Sequence, residues 1–202
     1  MPGEGNWRTI DEVRTEALVC RRCNLCLTRK NVVFGDGPTP ARLMIVGEGP
    51  GTDEDARGKP FVGRAGEFLD EVLAKAGIDR WEVWITNTVR CRPVDLAGDR
   101  LRNRAPEAHE IKACEVWMAQ EFRFTAPQAV ICLGATSAHA LISRDFLIGE
   151  GRGKWYSGRD GIPTTATYHP AYALRFDKLR RAEIESQMVN DFRAAIQLIQ
   201  GG

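Results

Sequence analysis

Leu43-Met44-Ile45-Val46-Gly47-Glu48-Gly49-Pro50-Gly51 is the stretch on which the fold turns. Four apolar residues run without a polar interruption and stop at a glycine-rich turn, as expected of a strand buried on both faces. Comparable runs recur at Val83 to Ile85, Val130 to Leu133 and, less clearly, Ile162 to Thr167. Helix-like segments lie between them, at Ala65 to Ala76, Pro106 to Phe124 and Ala135 to Ile142. The order β-α-β-α-β-α-β requires crossover connections and predicts a central, mainly parallel four-stranded sheet with helices on both faces. A leading helix over Thr9 to Val19 and a closing helix over Leu179 to Ile199 complete a three-layer α/β/α sandwich. The closing helix carries Ile184, Met188, Phe192, Ile196 and Ile199 at helical spacing.

The 202 residues, 43% hydrophobic and 27% charged, suit one globular domain over residues 1–202 with a core that needs no disulfide staples. A net charge of +1 exerts no global pull on a polyanion, so nucleic-acid binding would have to come from local clusters of Lys and Arg. No apolar stretch reaches the roughly 18 residues of a membrane span, and Met1 to Arg14 is polar and acidic without a signal core. A cytoplasmic protein is expected. In that compartment the six cysteines are metal ligands or buried thiols rather than disulfides.

Ligands of open parallel sheets bind beyond the carboxyl ends of the strands. Here those ends carry Gly47 to Gly51, Asn87, Gly134 and His169-Pro170. A turn that lets backbone amides approach, one side-chain amide and one imidazole can together recognise a planar ring bearing amide groups. As a phosphate site the glycine turn is weak, lacking both the Lys-Ser/Thr of a P-loop and the dinucleotide fingerprint. Val94 to Ala105 and Gly149 to Gly161, rich in Gly and charge, are predicted surface loops. Cys20-x-x-Cys23 suits zinc and iron-sulfur ligation equally. Cys91 and Cys114 are too far apart for a zinc-ribbon pair, and Cys26 is not followed by the Cys-Pro of a bacterial ferredoxin. Cys132 falls inside an apolar run, where a small buried thiol is the simplest reading.

Longer motifs extend these observations. Gly47 to Gly51, Glu54-Asp55, Gly58-Lys59-Pro60-Phe61-Val62-Gly63-Arg64-Ala65-Gly66, Ile85 to Pro93, Asn103-Arg104-Ala105-Pro106, Arg152-Gly153-Lys154-Trp155-Tyr156 and His169 to Arg175 stand in that order. Together they closely resemble the family 4, iron-sulfur uracil-DNA glycosylases, over roughly Val19 to Arg175. The resemblance implies a monomeric hydrolase of base excision repair, flipping uracil out of single- or double-stranded DNA and leaving an abasic site. It implies a 4Fe-4S cluster on Cys20, Cys23, Cys91 and Cys114, bracing DNA-facing loops, with Cys26 a spare thiol.

In the pocket, the resemblance implies contact of Gly47 and Gly49 with the base, stacking by Phe61 and bidentate reading of uracil O4 and N3-H by Asn87. His169 would donate to O2 as charge develops there. Gly49 stands where many uracil glycosylases carry a water-positioning Asp, which leaves Glu48, Glu54 and Asn103 as catalytic candidates. Glu54 has two other readings, a wall against the thymine methyl and a first-turn helix residue. Arg90, Arg92, Arg100, Arg102 and Arg104, with Arg152, Lys154 and Arg159, form patches suited to phosphate, partly offset by Asp95 and Asp99. Pro170 to Arg175 resembles the loop that enters the minor groove, with Leu174 as wedge and Arg175 near phosphate.

The segment Val94 to Arg102 is longer than the family's short link and leaves the position of Asn103 open. A related family carries a Lys-Arg-Arg-Ile-His insertion here and becomes joined covalently to DNA; that motif is absent from this chain. The competing classes are a protein that traps uracil sites without turnover and a non-catalytic metal protein on the same scaffold.

Overall fold

The computed structural model describes residues 5–97 and 100–201. Its main sheet holds β1 (Leu43–Gly47), β2 (Val83–Asn87), β5 (Ala129–Leu133), β6 (Tyr156–Ser157) and β7 (Pro163–Thr167) in the order β2-β1-β5-β7-β6. The first four strands of that order are parallel, as expected. The fifth, β6, is a two-residue antiparallel edge within a segment predicted to be loop. A separate antiparallel pair, β3 (Val94–Ala97) and β4 (Arg100–Asn103), also replaces predicted loop.

Helices α1 (Ile10–Leu18), α3 (Arg64–Ala76), α4 (Ala108–Thr125), α5 (Ala135–Leu141) and α8 (Lys178–Gly201) lie close to their predicted bounds, with short α2 (Thr52–Arg57), α6 (Ile148–Gly151) and α7 (Pro170–Ala173) between them. Helix α4 starts two residues beyond Pro106 because Glu107 caps it, its backbone N–H bonding the Glu110 carboxylate at 2.7 Å.

Strand alternation explains the uninterrupted apolar runs. Leu43, Ile45, Val83, Ile85, Ala129, Ile131 and Leu133 face one core, shared with Phe68, Leu69, Leu73 of α3 and Ile184, Met188, Phe192 of α8. Met44, Val46, Trp84 and Val130 face the other, against Val13 of α1 and Trp117, Met118 and Phe122 of α4. Each such side chain stabilises by about 1.5–3 kcal/mol relative to leaving it exposed. The outer edge of β2 is covered by Asp36, whose N–H and C=O both pair with Ile85 at 2.9 Å.

Between β1 and β5 the direction of strand addition reverses, the point at which open parallel sheets take ligands, and Gly47 and Gly134 stand at the ends of those two strands. The β3–β4 hairpin settles the position of Asn103. Val94 pairs with Asn103, and the Arg104 amide bonds the Pro93 carbonyl at 3.2 Å, so residues 94–97 and 100–103 lie side by side and bring Asn103 back beside Val94. Asp99, one of the predicted offsetting charges, lies outside the described residues.

Candidate active site

Strand register sets Gly47 directly beside Asn87. Asn87 is 2% exposed, and its Oδ1 has no hydrogen-bond partner. A buried acceptor of this kind costs about 1–3 kcal/mol if nothing ever meets it. A Cβ on Gly47 would strike this Oδ1 and lie 2.6 Å from Phe61 Cζ, so the bare glycine keeps the space between amide and ring open.

Phe61 is buried and held at φ 51°, a strained conformation for an aromatic residue. The strain is maintained from two sides. Gly66 packs so closely on the Phe61 carbonyl that no side chain fits there. Glu54 Oε1 accepts from Val62 N and Gly63 N at 3.0 Å each, while Oε2 accepts from Gly51 N at 3.0 Å. The carboxylate of Glu54, one of the expected catalytic candidates, clamps the glycine turn to the Phe61 loop with both oxygens engaged. Glu48 differs, since only Oε2 is held, by the Thr136 hydroxyl. Asn103 Oδ1 accepts from Arg92 Nε at 2.7 Å, and its Nδ2 lies near Gly51 at the rim. Gly49 is wedged under Val89 and Pro93, with 3.0 Å and 3.3 Å left for any Cβ.

His169 follows β7 and caps α7, its Nδ1 accepting from Ala171 N at 3.1 Å. Burial, reinforced by the nearby Arg175 charge, pushes its pKa down to about 4. The ring is therefore neutral near pH 7, and with Nδ1 as acceptor the proton sits on Nε2. The Phe61 and His169 rings are 5.9 Å apart between centroids. Three strand spacings, roughly 14 Å, separate β2 from β7, with β1 and β5 between the strands that end at Asn87 and lead to His169.

The predicted phosphate contacts divide. Arg90 is corrected outright: it is 1% exposed, and its guanidinium meets Glu121 at 2.5 Å within the core. Burial opposes its charge, yet Glu121 keeps it protonated. Arg104 forks onto Glu110 at 2.6 and 2.8 Å, and Arg159 pairs with Glu115 at 2.8 Å. Arg152 meets Asp191 at 3.3 Å and covers the Tyr168 ring. Lys154, Arg175, Arg100 and Arg102 are exposed, whereas Pro170 is buried and Leu174 partly buried against the core. Sequence reasoning missed Thr136 and Glu121, whose partners lie 88 and 31 residues away.

Cys20, Cys23, Cys91 and Cys114 line one cavity between the segment that follows α1, the chain after β2 and α4. Each receives an N–H: from Trp117 Nε1 to Cys20 at 3.3 Å, from the Leu25 amide to Cys23, from Arg29 to Cys91 at 3.4 Å and from the Arg90 amide to Cys114 at 3.3 Å. Burial pushes the Cys23, Cys91 and Cys114 thiols up, Cys91 to about 12. Among the described residues no three such groups are gathered to hold a single ion. Cys132 is fully buried in β5, as expected.

Residues 34–193 match the family described as the uracil DNA glycosylase superfamily. Over 168 residues the chain is 41% identical to a type-4 uracil-DNA glycosylase of Pyrobaculum aerophilum, covering 80% of this chain and 82% of that protein. The chain belongs to the type-4 uracil-DNA glycosylases. A second type-4 uracil-DNA glycosylase, of Thermotoga maritima, is 40% identical over 172 residues, 82% of this chain and 84% of that one. A type-5 uracil-DNA glycosylase of Pyrobaculum aerophilum is more distant, 28% identical over 154 residues, 67% of this chain and 63% of that one. The open acceptor on Asn87 and the neutral imidazole of His169 stand at the carboxyl ends of β2 and β7 of this type-4 uracil-DNA glycosylase.

Proposed function

We infer that this protein excises uracil from DNA by hydrolysing the N-glycosidic bond, leaving an abasic site. The observation that carries the reading is the buried, unpartnered Asn87 Oδ1 beside an open glycine floor. Uracil N3-H supplies the missing donor, and the same amide's N–H donates to O4; cytosine presents the reverse pattern at both atoms. Phe61 stacks on the flipped ring, a contact worth about 1–3 kcal/mol.

Bond cleavage turns the base into an anion and the sugar into an oxocarbenium-like cation. A hydrogen bond from His169 Nε2 to O2 strengthens as that charge develops, so it stabilises the transition state more than the bound substrate. Neutrality suits this role, because the group donates a hydrogen bond without passing on a proton. Glu48, with one carboxylate oxygen uncommitted, is the group for orienting water or facing the cationic sugar. Asn103, held by Arg92, lines the rim, and Glu54 acts through Phe61 rather than on the substrate.

The four-cysteine cavity fits a 4Fe-4S cluster on Cys20, Cys23, Cys91 and Cys114. A single zinc ion would draw four sulfurs to within roughly 3.8 Å of one another, from Zn–S bonds of about 2.3 Å. No such convergence occurs among the described residues. Four sulfurs spread round a cavity, each with an N–H donor, suit a body with a separate iron for each thiolate. When bound, the group supplies four iron-thiolate bonds that join the N-terminal segment, the chain after Asn87 and α4.

The proposal includes action as a monomer in the cytoplasm on uracil in single- and double-stranded DNA. Among the described residues no helix is long and apolar enough to cross a membrane. The test is incubation with a uracil-containing oligonucleotide followed by alkali. Strand scission at the uracil is expected; intact strands across a range of salt, or a protein-DNA adduct that survives denaturation, would overturn hydrolysis with turnover.

A further inference from the structure

On either side of His169 three aromatic side chains form a row, Tyr168 partly buried against the core and Tyr172 and Phe176 exposed. The Tyr168 and Tyr172 rings stack at 5.4 Å with 16° between planes, and Phe176 stands edge-on to Tyr172 at 5.0 Å. The Arg152 guanidinium covers Tyr168 at 5.3 Å and closes that end of the row. The other end is open, with Tyr172 38% and Phe176 39% exposed. A core role would bury Tyr172 and Phe176, and the short α7 does not require them outside.

Cations accompany the row. Arg175 and Lys178 have no acidic partner among the described residues. The acidic groups nearby are engaged: Asp177 accepts from Leu179 N and Arg180 N at 3.0 Å each, and Glu183 pairs with Arg180 at 2.6 Å. Aromatic faces interleaved with free positive charge are how proteins hold unpaired strands, whose bases can swivel to stack on the protein. Bases in a duplex are already stacked on their neighbours.

Resting on the uracil-excision reading, we propose that Tyr172 and Phe176 form a stacking platform for the unpaired nucleobases flanking the flipped uracil, a platform that favours single-stranded substrates. The row is continuous with the pocket, since Tyr168 directly precedes His169. Phosphates of the same strand reach Arg175 and Lys178.

The test compares uracil in a single-stranded oligonucleotide with the same strand in duplex. Phe176→Ala, which lies outside the Pro170 to Arg175 segment, should raise the single-strand KM roughly 10-fold or more, with kcat and the duplex KM unchanged within about 2-fold; Phe176→Tyr should restore the wild-type KM. A 2-aminopurine placed beside the uracil should be quenched on binding to the wild type and not to Phe176→Ala. Equal KM changes on both substrates, or quenching that survives the substitution, would overturn the platform. Wild-type protein that excises from neither substrate would instead overturn the uracil reading, while the quenching experiment still reports on the platform.

Discussion

Gly47 and Asn87 are register partners on adjacent parallel strands, and the missing side chain of the one is the open space in front of the other. Gly47→Ala should therefore fill the base pocket from its floor. Excision should fall at least about 100-fold, with destabilisation of about 1–3 kcal/mol from the forced shift of Asn87 or Phe61. Steady-state rates on a uracil oligonucleotide and a urea melt measure the two effects separately.

Replacing the Asn87 amide by a carboxylate removes the donor to O4 and sets a second acceptor against it. Asn87→Asp should lower kcat/KM for uracil roughly 100-fold or more, the scale on which unpaired polar groups in a site reject a ligand. Retention of wild-type kcat/KM would remove Asn87 from base reading.

In the proposed mechanism the hydrogen bond from His169 strengthens only as charge develops on the base, which separates its effect from binding. His169→Ala should reduce kcat by about 100- to 1000-fold while affinity for product-like abasic DNA changes by less than about 3-fold. A matched loss of affinity and rate would assign the ring to binding instead.

The His169 environment also predicts a pH signature. With its folded pKa at about 4 against 6.5 for an unperturbed ring, the unfolded state binds the extra proton first as pH falls. Its contribution to stability is thus complete above pH 6.5 and lost between 6.5 and 4, by at most about 3 kcal/mol. Urea midpoints of wild type should drop across that window more steeply than those of His169→Gln. Ring-nitrogen NMR at pH 7 should show the neutral Nε2-protonated form.

Substitution of Cys91 or Cys114 by Ser should abolish iron binding and the visible absorbance of the purified protein and lower its melting temperature. Cys26→Ser should keep a full complement of iron, because Cys26 is not among the sulfurs of the cavity. Iron loss from Cys26→Ser with retention in Cys91→Ser would reverse the ligand assignment.

Strands β1, β2 and β5 were legible because burial on both faces leaves an unbroken apolar run, a signal that needs no knowledge of the neighbours. Asn87 and His169 were legible for a related reason: they stand where such strands end. Burial of charge was not. Arg90 sits in an Arg-rich stretch and resembles its exposed neighbours until Glu121 is found beside it in the core. Glu54 likewise has the chemistry of a base, and only the folded loops reveal three backbone amides around its carboxylate. Strand β4 escaped detection because all four of its residues are exposed, leaving no alternation to read, and β6 is too short to show a period.

The β3–β4 hairpin makes the gap between Pro93 and Arg104 independent of how many residues span it. Their backbone bond at 3.2 Å, and the Val94–Asn103 rung next to it, close the loop at its base. Chain added between Ala97 and Arg100 would leave that base, and Asn103 beside it, in place. The hairpin is accordingly a natural graft point, where a fluorophore-bearing peptide or an affinity handle can be spliced into the chain and the base pocket left as it was.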